Sequence, residues 1–121
     1  MLLVDAANVV GSRPDGWWRD RAGAAGRLVG QLRQAVARGE LTAPVVVVLE
    51  GKARAGAPAE TSGGVRVVHA PGEGDDTLVH VAADAGEPVT LVSADRALGE
   101  RARAHGADVV GPGWLLERLS T

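Results

Sequence analysis

Val45-Val46-Val47-Val48-Leu49 is a run of five branched apolar residues that stops at Glu50 and Gly51. No polar residue interrupts it, so it has no face to offer to water. Such a run reads as a strand buried on both faces, the place strands take inside a parallel sheet. Shorter runs of the same kind lie on either side, at Leu2 to Val4, Val65 to Val68 and Val89 to Val92, with a weaker one at Asp108 to Val110. Helical patterns fill the gaps. Between Ala22 and Arg38, the residues Ala25, Leu28, Val29, Leu32, Ala35 and Val36 fall on one arc. Arg27, Gln31, Gln34 and Arg38 fall on the opposite arc, which predicts an amphipathic helix laid on the sheet. Thr77 to Ala85 and Arg96 to His105 read as shorter helices, stopped by Gly86 and Gly106. Trp114 to Leu119 reads as a closing helix.

Strands that alternate with helices predict an α/β fold with right-handed crossovers. The expectation is a single three-layer domain over residues 1–121, with a central, mostly parallel sheet of about five strands. Gly51 to Gly64 fits less well: rich in Ala, Gly and Pro and poor in periodicity, it reads as a mobile loop holding one helical turn.

With 121 residues the chain suffices for one compact domain and not for two. Fifteen acidic residues against 13 basic give a net charge of −2. That excludes a generally basic nucleic-acid coat and leaves room for a local basic patch. Cysteine is absent, so there is no disulfide framework, thiolate nucleophile or Cys-ligated metal. A hydrophobic content of 45 % argues against disorder, and without Phe or Tyr the core falls to Val, Leu and Ala. The apolar stretch before Asp5 is too short for a signal peptide or a membrane span. A cytoplasmic protein without a membrane partner is expected.

Five carboxylates follow the strands. Asp5 ends the first, Glu50 the second, Asp75 and Asp76 open the helix after the third, and Asp95 follows the fourth by two residues. All lie at the carboxyl edge of the sheet, where open α/β sheets bind ligands. With strand order 3-2-1-4-5, Asp5 and Asp95 face each other and Glu50 is one strand away. A plain alternative exists for two of them: Asp75 and Asp95 are well placed to be helix caps. Asp5 lacks that alternative, because no obvious helix follows it. Converging carboxylates raise each other's pKa and cost stability unless a cation sits among them. A divalent metal site explains the pattern, and oxygen-only ligands favour Mg²⁺ or Mn²⁺ over Zn²⁺. The histidines compete poorly: His69 ends the third strand, His80 lies within a helix and His105 at a helix end. No phosphate loop, dinucleotide fingerprint or nucleophile elbow is present.

Asp5-Ala6-Ala7-Asn8-Val9 resembles the Asp-Gly-x-Asn opening of NYN domains, the branch of PIN-like nucleases that includes the YacP-like proteins. Leu49-Glu50-Gly51 resembles the acidic-Gly step ending the second strand in the related flap nucleases. Gly74-Asp75-Asp76-Thr77-Leu78-Val79 resembles the Ala-Asp-Asp/Ser-x-Ile helix start, and Ser93-Ala94-Asp95-Arg96 the Thr-Ser-Asp-Arg segment after the fourth strand. Order and spacing agree over nearly the whole chain. The resemblance implies a PIN-like fold and a metal-dependent nuclease acting on RNA, with one or two Mg²⁺ or Mn²⁺ ions. By resemblance, Asp5, Asp75 and Asp95 are principal ligands, and Asp76 and Glu50 auxiliary ligands or water-orienting groups. Asn8 positions Asp5 or a phosphate oxygen. Ser93 hydrogen-bonds a ligand carboxylate or a phosphate.

Arg13, Trp17, Trp18, Arg19 and Arg21 form a basic and aromatic cluster in the loop after the first strand. Arginine pairs with phosphate and tryptophan stacks on bases; the competing role for one tryptophan is packing on the sheet end. Lys52 and Arg54 are further candidate phosphate contacts, and Arg96 is either one more or a solvated helix charge. The apolar segment Trp114, Leu115, Leu116 and Leu119 reads equally as core packing or as a homodimer contact. Two functions compete with the ribonuclease. One is an RNA-binding module of the same fold with a weak or dead site, motivated by Ala at position 6 or 7 and Glu50 where the family has Gly and Asp. The other is a nucleotide phosphohydrolase, which metal and carboxylates would also serve.

Overall fold

The computed structural model describes residues 1–120. The chain runs β1 (Leu2–Asp5), α1 (Ala6–Gly11), a 3-10 turn (Trp17–Arg19), α2 (Arg21–Ala37) and β2 (Val45–Leu49). A 3-10 helix (Gly51–Gly56), β3 (Thr61–Ser62), β4 (Val65–His69) and α3 (Gly74–Asp84) follow. The chain then adds β5 (Thr90–Val92), α4 (Arg96–Arg103), β6 (Asp108–Val110) and α5 (Pro112–Leu119). One sheet takes them all in the order β3-β4-β2-β1-β5-β6. Every pairing is parallel except β3 against β4.

The valine run explains the layering. Side chains alternate between the two faces of a strand, so Val45, Val47 and Leu49 enter one core and Val46 and Val48 the other. Leu2 and Val4 of β1 join the first core and Leu3 the second. On the first face the sheet is covered by α1, α2 and α5; α2 contributes Ala24, Ala25, Leu28, Val29, Leu32 and Ala35. On the second, α3 brings Leu78, Val79 and Ala82, and α4 brings Leu98 and Ala102. Central strands thus bury both faces, which is why they carry no polar alternation.

The five predicted strands appear in the predicted order, extended by a sixth. That sixth strand, β3, is antiparallel and pairs Ser62 with Val65. It lies in Gly51 to Gly64, which is not a bare loop: the segment is a 3-10 helix followed by an edge strand. Both residues of β3 are exposed, so hydrophobic periodicity could not mark it. A second departure is α1. Its six residues directly follow β1, and Asp5 caps it, accepting a hydrogen bond from the Asn8 N–H. Asp5 therefore does have the cap role that the sequence did not suggest. Helix α3 begins at Gly74, ahead of the expected Thr77. Of the paired tryptophans, Trp17 packs against the first core while Trp18 is 56 % exposed. Trp114 and Leu116 pack partly buried against that core, beside buried Leu115 and Leu119. No helix among the described residues is long and apolar enough to cross a membrane.

Candidate active site

Parallel pairing puts the ends of β1, β2, β4 and β5 at one edge, and each is followed there by a carboxylate. Asp5 is the innermost, only 7 % exposed. Its Oδ1 accepts from the Asn8 N–H at 3.3 Å and its Oδ2 from the Ser93 hydroxyl at 2.8 Å. Ser93 is itself buried, and its Oγ accepts from the Asp95 N–H at 3.1 Å. The Asn8 side chain closes the same junction, its Oδ1 accepting from the Ala94 N–H at 2.8 Å. Neighbouring strands β1 and β5 are thus stitched together just beyond the sheet, and the stitch holds the Asp5 carboxylate in one orientation.

Glu50 and Gly74 form the other half. The Glu50 carboxylate accepts from the Gly74 N–H at 2.7 Å, satisfying a free donor at the start of α3 from a different strand. Glu73, the residue before that helix, makes no side-chain cap. A Cβ at position 74 would meet the Glu50 carboxyl carbon at 3.4 Å, an ordinary van der Waals distance, so the carboxylate lies directly against the start of α3. Asp75, in the first turn of α3, makes no cap bond. Asp95 does cap α4, accepting from the Leu98 N–H at 3.1 Å. Of the two capping alternatives, Asp95 takes the cap and Asp75 does not.

Electrostatics tie the four together. Burial pushes the Asp5 carboxyl above the usual carboxylate range; the Ser93 and Asn8 hydrogen bonds pull against it, and the charges of Asp75 and Glu50 add to the rise. Asp75 is also raised, first by desolvation, then by Asp95 and Glu50, with Arg101 opposing. Four carboxylates from four elements therefore share one field. Asp76 stands apart, 76 % exposed and paired with Arg101 of α4 at 2.9 Å. An exposed pair of this kind is worth little. Asp76→Ala is expected to shift the unfolding free energy by less than about 1 kcal/mol, read from urea denaturation, and to leave the other four carboxylates undisturbed.

The donor set is hard oxygen only. His80 is exposed on α3 and His105 in the turn after α4, and the His69 Nε2 lies 2.7 Å from the Ala57 carbonyl oxygen. Among the described residues, no three acidic or histidine side chains stand as a ready-made cage for an ion. Mg²⁺ does not need one: it keeps several waters and is held by one or two carboxylates together with substrate phosphates. One buried carboxylate, Asp5, with the partly buried Glu50, Asp75 and Asp95 beside it, fits such a cation in chemistry and in sign.

The basic candidates spread around this edge. Arg19 lies over the Trp18 ring at 5.9 Å and Arg21 over the Trp17 ring at 5.6 Å, while Trp17 and Trp18 meet edge to face. Arg19 and Trp17 belong to the 3-10 turn and Arg21 opens α2, so this cluster is not one loop. Arg13 is half-buried; Lys52 and Arg96 are exposed. Arg54 is partly committed within the chain, its Nε donating to the Gly51 carbonyl and its Nη1 to that of Ala70.

No protein-family model matches the sequence, and no curated protein matches it either. Solved structures do. The crystal structure of Rae1 (YacP) from Bacillus subtilis superposes with a TM-score of 0.72 at 18 % identity, over 98 % of this chain and 72 % of that one. A tryptophan-to-leucine variant of the same protein gives 0.70 at 17 % identity with the same coverage. The chain therefore has the YacP-like fold, the fold that its motifs resembled.

Proposed function

We propose that the chain is a metal-dependent ribonuclease, hydrolysing RNA phosphodiester bonds with Mg²⁺ or Mn²⁺ at the carboxyl edge of its sheet. The observation that carries the reading is Asp5: a nearly inaccessible carboxylate, held by Ser93 and Asn8 and facing the like charges of Asp75 and Glu50. A helix cap alone would not call for the two further carboxylates, Asp75 and Glu50, whose charges act on it. The fold is of a PIN-like nuclease type, which supports the same reading by analogy.

Asp5, Asp75 and Asp95 would hold the cation, directly or through water, with Glu50 orienting a water. When bound, the cation supplies the positive charge that draws in a scissile phosphate and lowers the pKa of a bound water. The chain's own residues do the rest. Ser93 spends its proton on Asp5 Oδ2, so that carboxylate has little freedom to reorganise. Asn8 locks the β1 and β5 ends, fixing Asp5 relative to Asp95. Lys52 and Arg96, exposed near this edge, are the cations for flanking phosphates.

The test is incubation of the protein with labelled single-stranded and structured RNA, in Mn²⁺, Mg²⁺ or EDTA. Cleavage in either metal and none in EDTA is expected. Ser93→Ala removes one hydrogen bond to a charged group, worth roughly 1.5–3 kcal/mol, and should slow cleavage by at least about tenfold without abolishing it. Among the described residues no three side chains form a ready-made ion cage, which favours one second reading, an RNA-binding module with little or no catalysis. RNA bound but intact in both metals is the outcome that would select it.

A further inference from the structure

A pocket of about 400 Å³ opens beside the carboxylates, between α1, the start of α2 and the 3-10 helix that follows β2. Its size is at the lower end of small-molecule sites, ~300–1,000 Å³, and suits one nucleotide-sized group. The walls are small and apolar: Ala6, Ala7, Val10, Ala25 and Ala53. Trp17 supplies an aromatic wall, braced edge to face by Trp18. Arg21 and Lys52 line the pocket as cations, and Glu50 and Glu73 as acceptors. Glu50 belongs both to this pocket and to the carboxylate group, so the two are continuous.

We infer that this pocket takes one unstacked base of a single-stranded RNA, next to the phosphate that the carboxylate group addresses. The inference rests on the ribonuclease reading for its choice of ligand. Flat apolar walls with one aromatic side chain recognise the π-face of a base, which every base has. Glutamates accept and do not donate, so a base enters with an N–H edge toward them, and each of the four bases has one. Arg21 and Lys52 then meet the backbone phosphates on either side. Small side chains are required for this: with larger residues at positions 6, 7, 25 and 53 the space would close. A duplex cannot present a base to such a pocket without unpairing it, at a cost of a few kcal/mol, so the site selects single strands.

The experiment measures binding of a fluorescently labelled single-stranded RNA to the full chain by anisotropy in EDTA, where cleavage is not required. Loss of one base–aromatic stack corresponds to about 5- to 150-fold in affinity. Trp17→Ala should weaken binding within that range, and Trp17→Phe should restore most of it. Ala7→Leu fills the pocket from an exposed position and leaves Trp17 in place; it should weaken binding similarly with an unchanged melting temperature. The same sequence as a duplex should bind less tightly than the single strand. Wild-type affinity in both Ala7→Leu and a folded Trp17→Ala overturns the pocket, as does a wild-type chain that binds no RNA. Cleavage is scored separately in Mn²⁺. An intact strand in Mn²⁺ with pocket-dependent binding sinks the ribonuclease and keeps the pocket; cleavage with pocket-independent binding does the reverse.

Discussion

Asp5→Asn is expected to abolish metal-dependent cleavage, by at least about a hundredfold, while raising the melting temperature of the protein in EDTA. The two effects have one origin. Asparagine keeps the shape and the hydrogen bonds: its Oδ1 can accept the Asn8 N–H, and its Nδ2 can donate to Ser93 Oγ, which has a lone pair to spare. What it removes is a buried charge among like charges. The pH dependence follows from the raised carboxyl. An acid whose pKa is higher in the folded state than its ordinary 3.8 adds stability that is fully present below pH 3.8 and lost as pH rises through the folded value. Asp75 is raised as well and adds a loss of the same sign. The melting-temperature gap between Asp5→Asn and wild type, measured by calorimetry in EDTA, should therefore be smallest below pH 3.8 and widen toward neutrality. Saturating Mn²⁺ should close it by stabilising the wild type alone, by about 2.7 kcal/mol at a hundredfold excess over Kd. A gap that is constant with pH, or a metal shift that survives in Asp5→Asn, would contradict the role given to this carboxylate.

How much of this could be read from the residues depends on whether side chains or backbone make the contact. The valines of β2 announce a doubly buried strand because each of them packs. Asp5, Glu50 and Asp95 are legible because each lies at a strand's end or within three residues of it, and parallel strands all end at one edge; Asp75 is placed by the start of α3. By contrast, α1 is six residues containing two valines and an asparagine, too short for periodicity to register; its presence is what turns Asp5 into a cap. The bonds from Gly74 to Glu50 and from Ala94 to Asn8 join residues 24 and 86 positions apart, and nothing local foreshadows them. The pocket beside Trp17 was hidden for a related reason. A wall of alanines is an absence of bulk, and its residues come from α1, α2 and the 3-10 helix, which meet only in three dimensions.

The 3-10 helix itself is the strongest case of contact without pattern, and it yields a prediction of opposite signs on a single helix. It packs on α2 through backbone: a Cβ at Gly26 would come within 2.8 Å of the Gly56 carbonyl oxygen, and one at Gly56 would overlap the carbonyl oxygen of Ala22. Neither neighbour is a flexible side chain that could move aside. Gly30 lies one turn further along α2, and a Cβ there meets nothing within 4 Å. Alanine favours a helix interior over glycine by roughly 0.5–1 kcal/mol, so Gly30→Ala should stabilise the protein by about that much. Gly26→Ala has the same propensity gain but must push the 3-10 helix off α2, and overpacking of this kind costs typically 1–3 kcal/mol. Its net effect should be destabilising, and the site should feel it. Glu50 immediately precedes the displaced segment and Lys52 lies within it, so Gly26→Ala should also weaken RNA binding, where Gly30→Ala should leave it unchanged. Urea denaturation of the two variants beside the wild type, with RNA anisotropy on each, reads both signs; equal and stabilising shifts would mean that the helix and the segment it carries do not meet through these glycines.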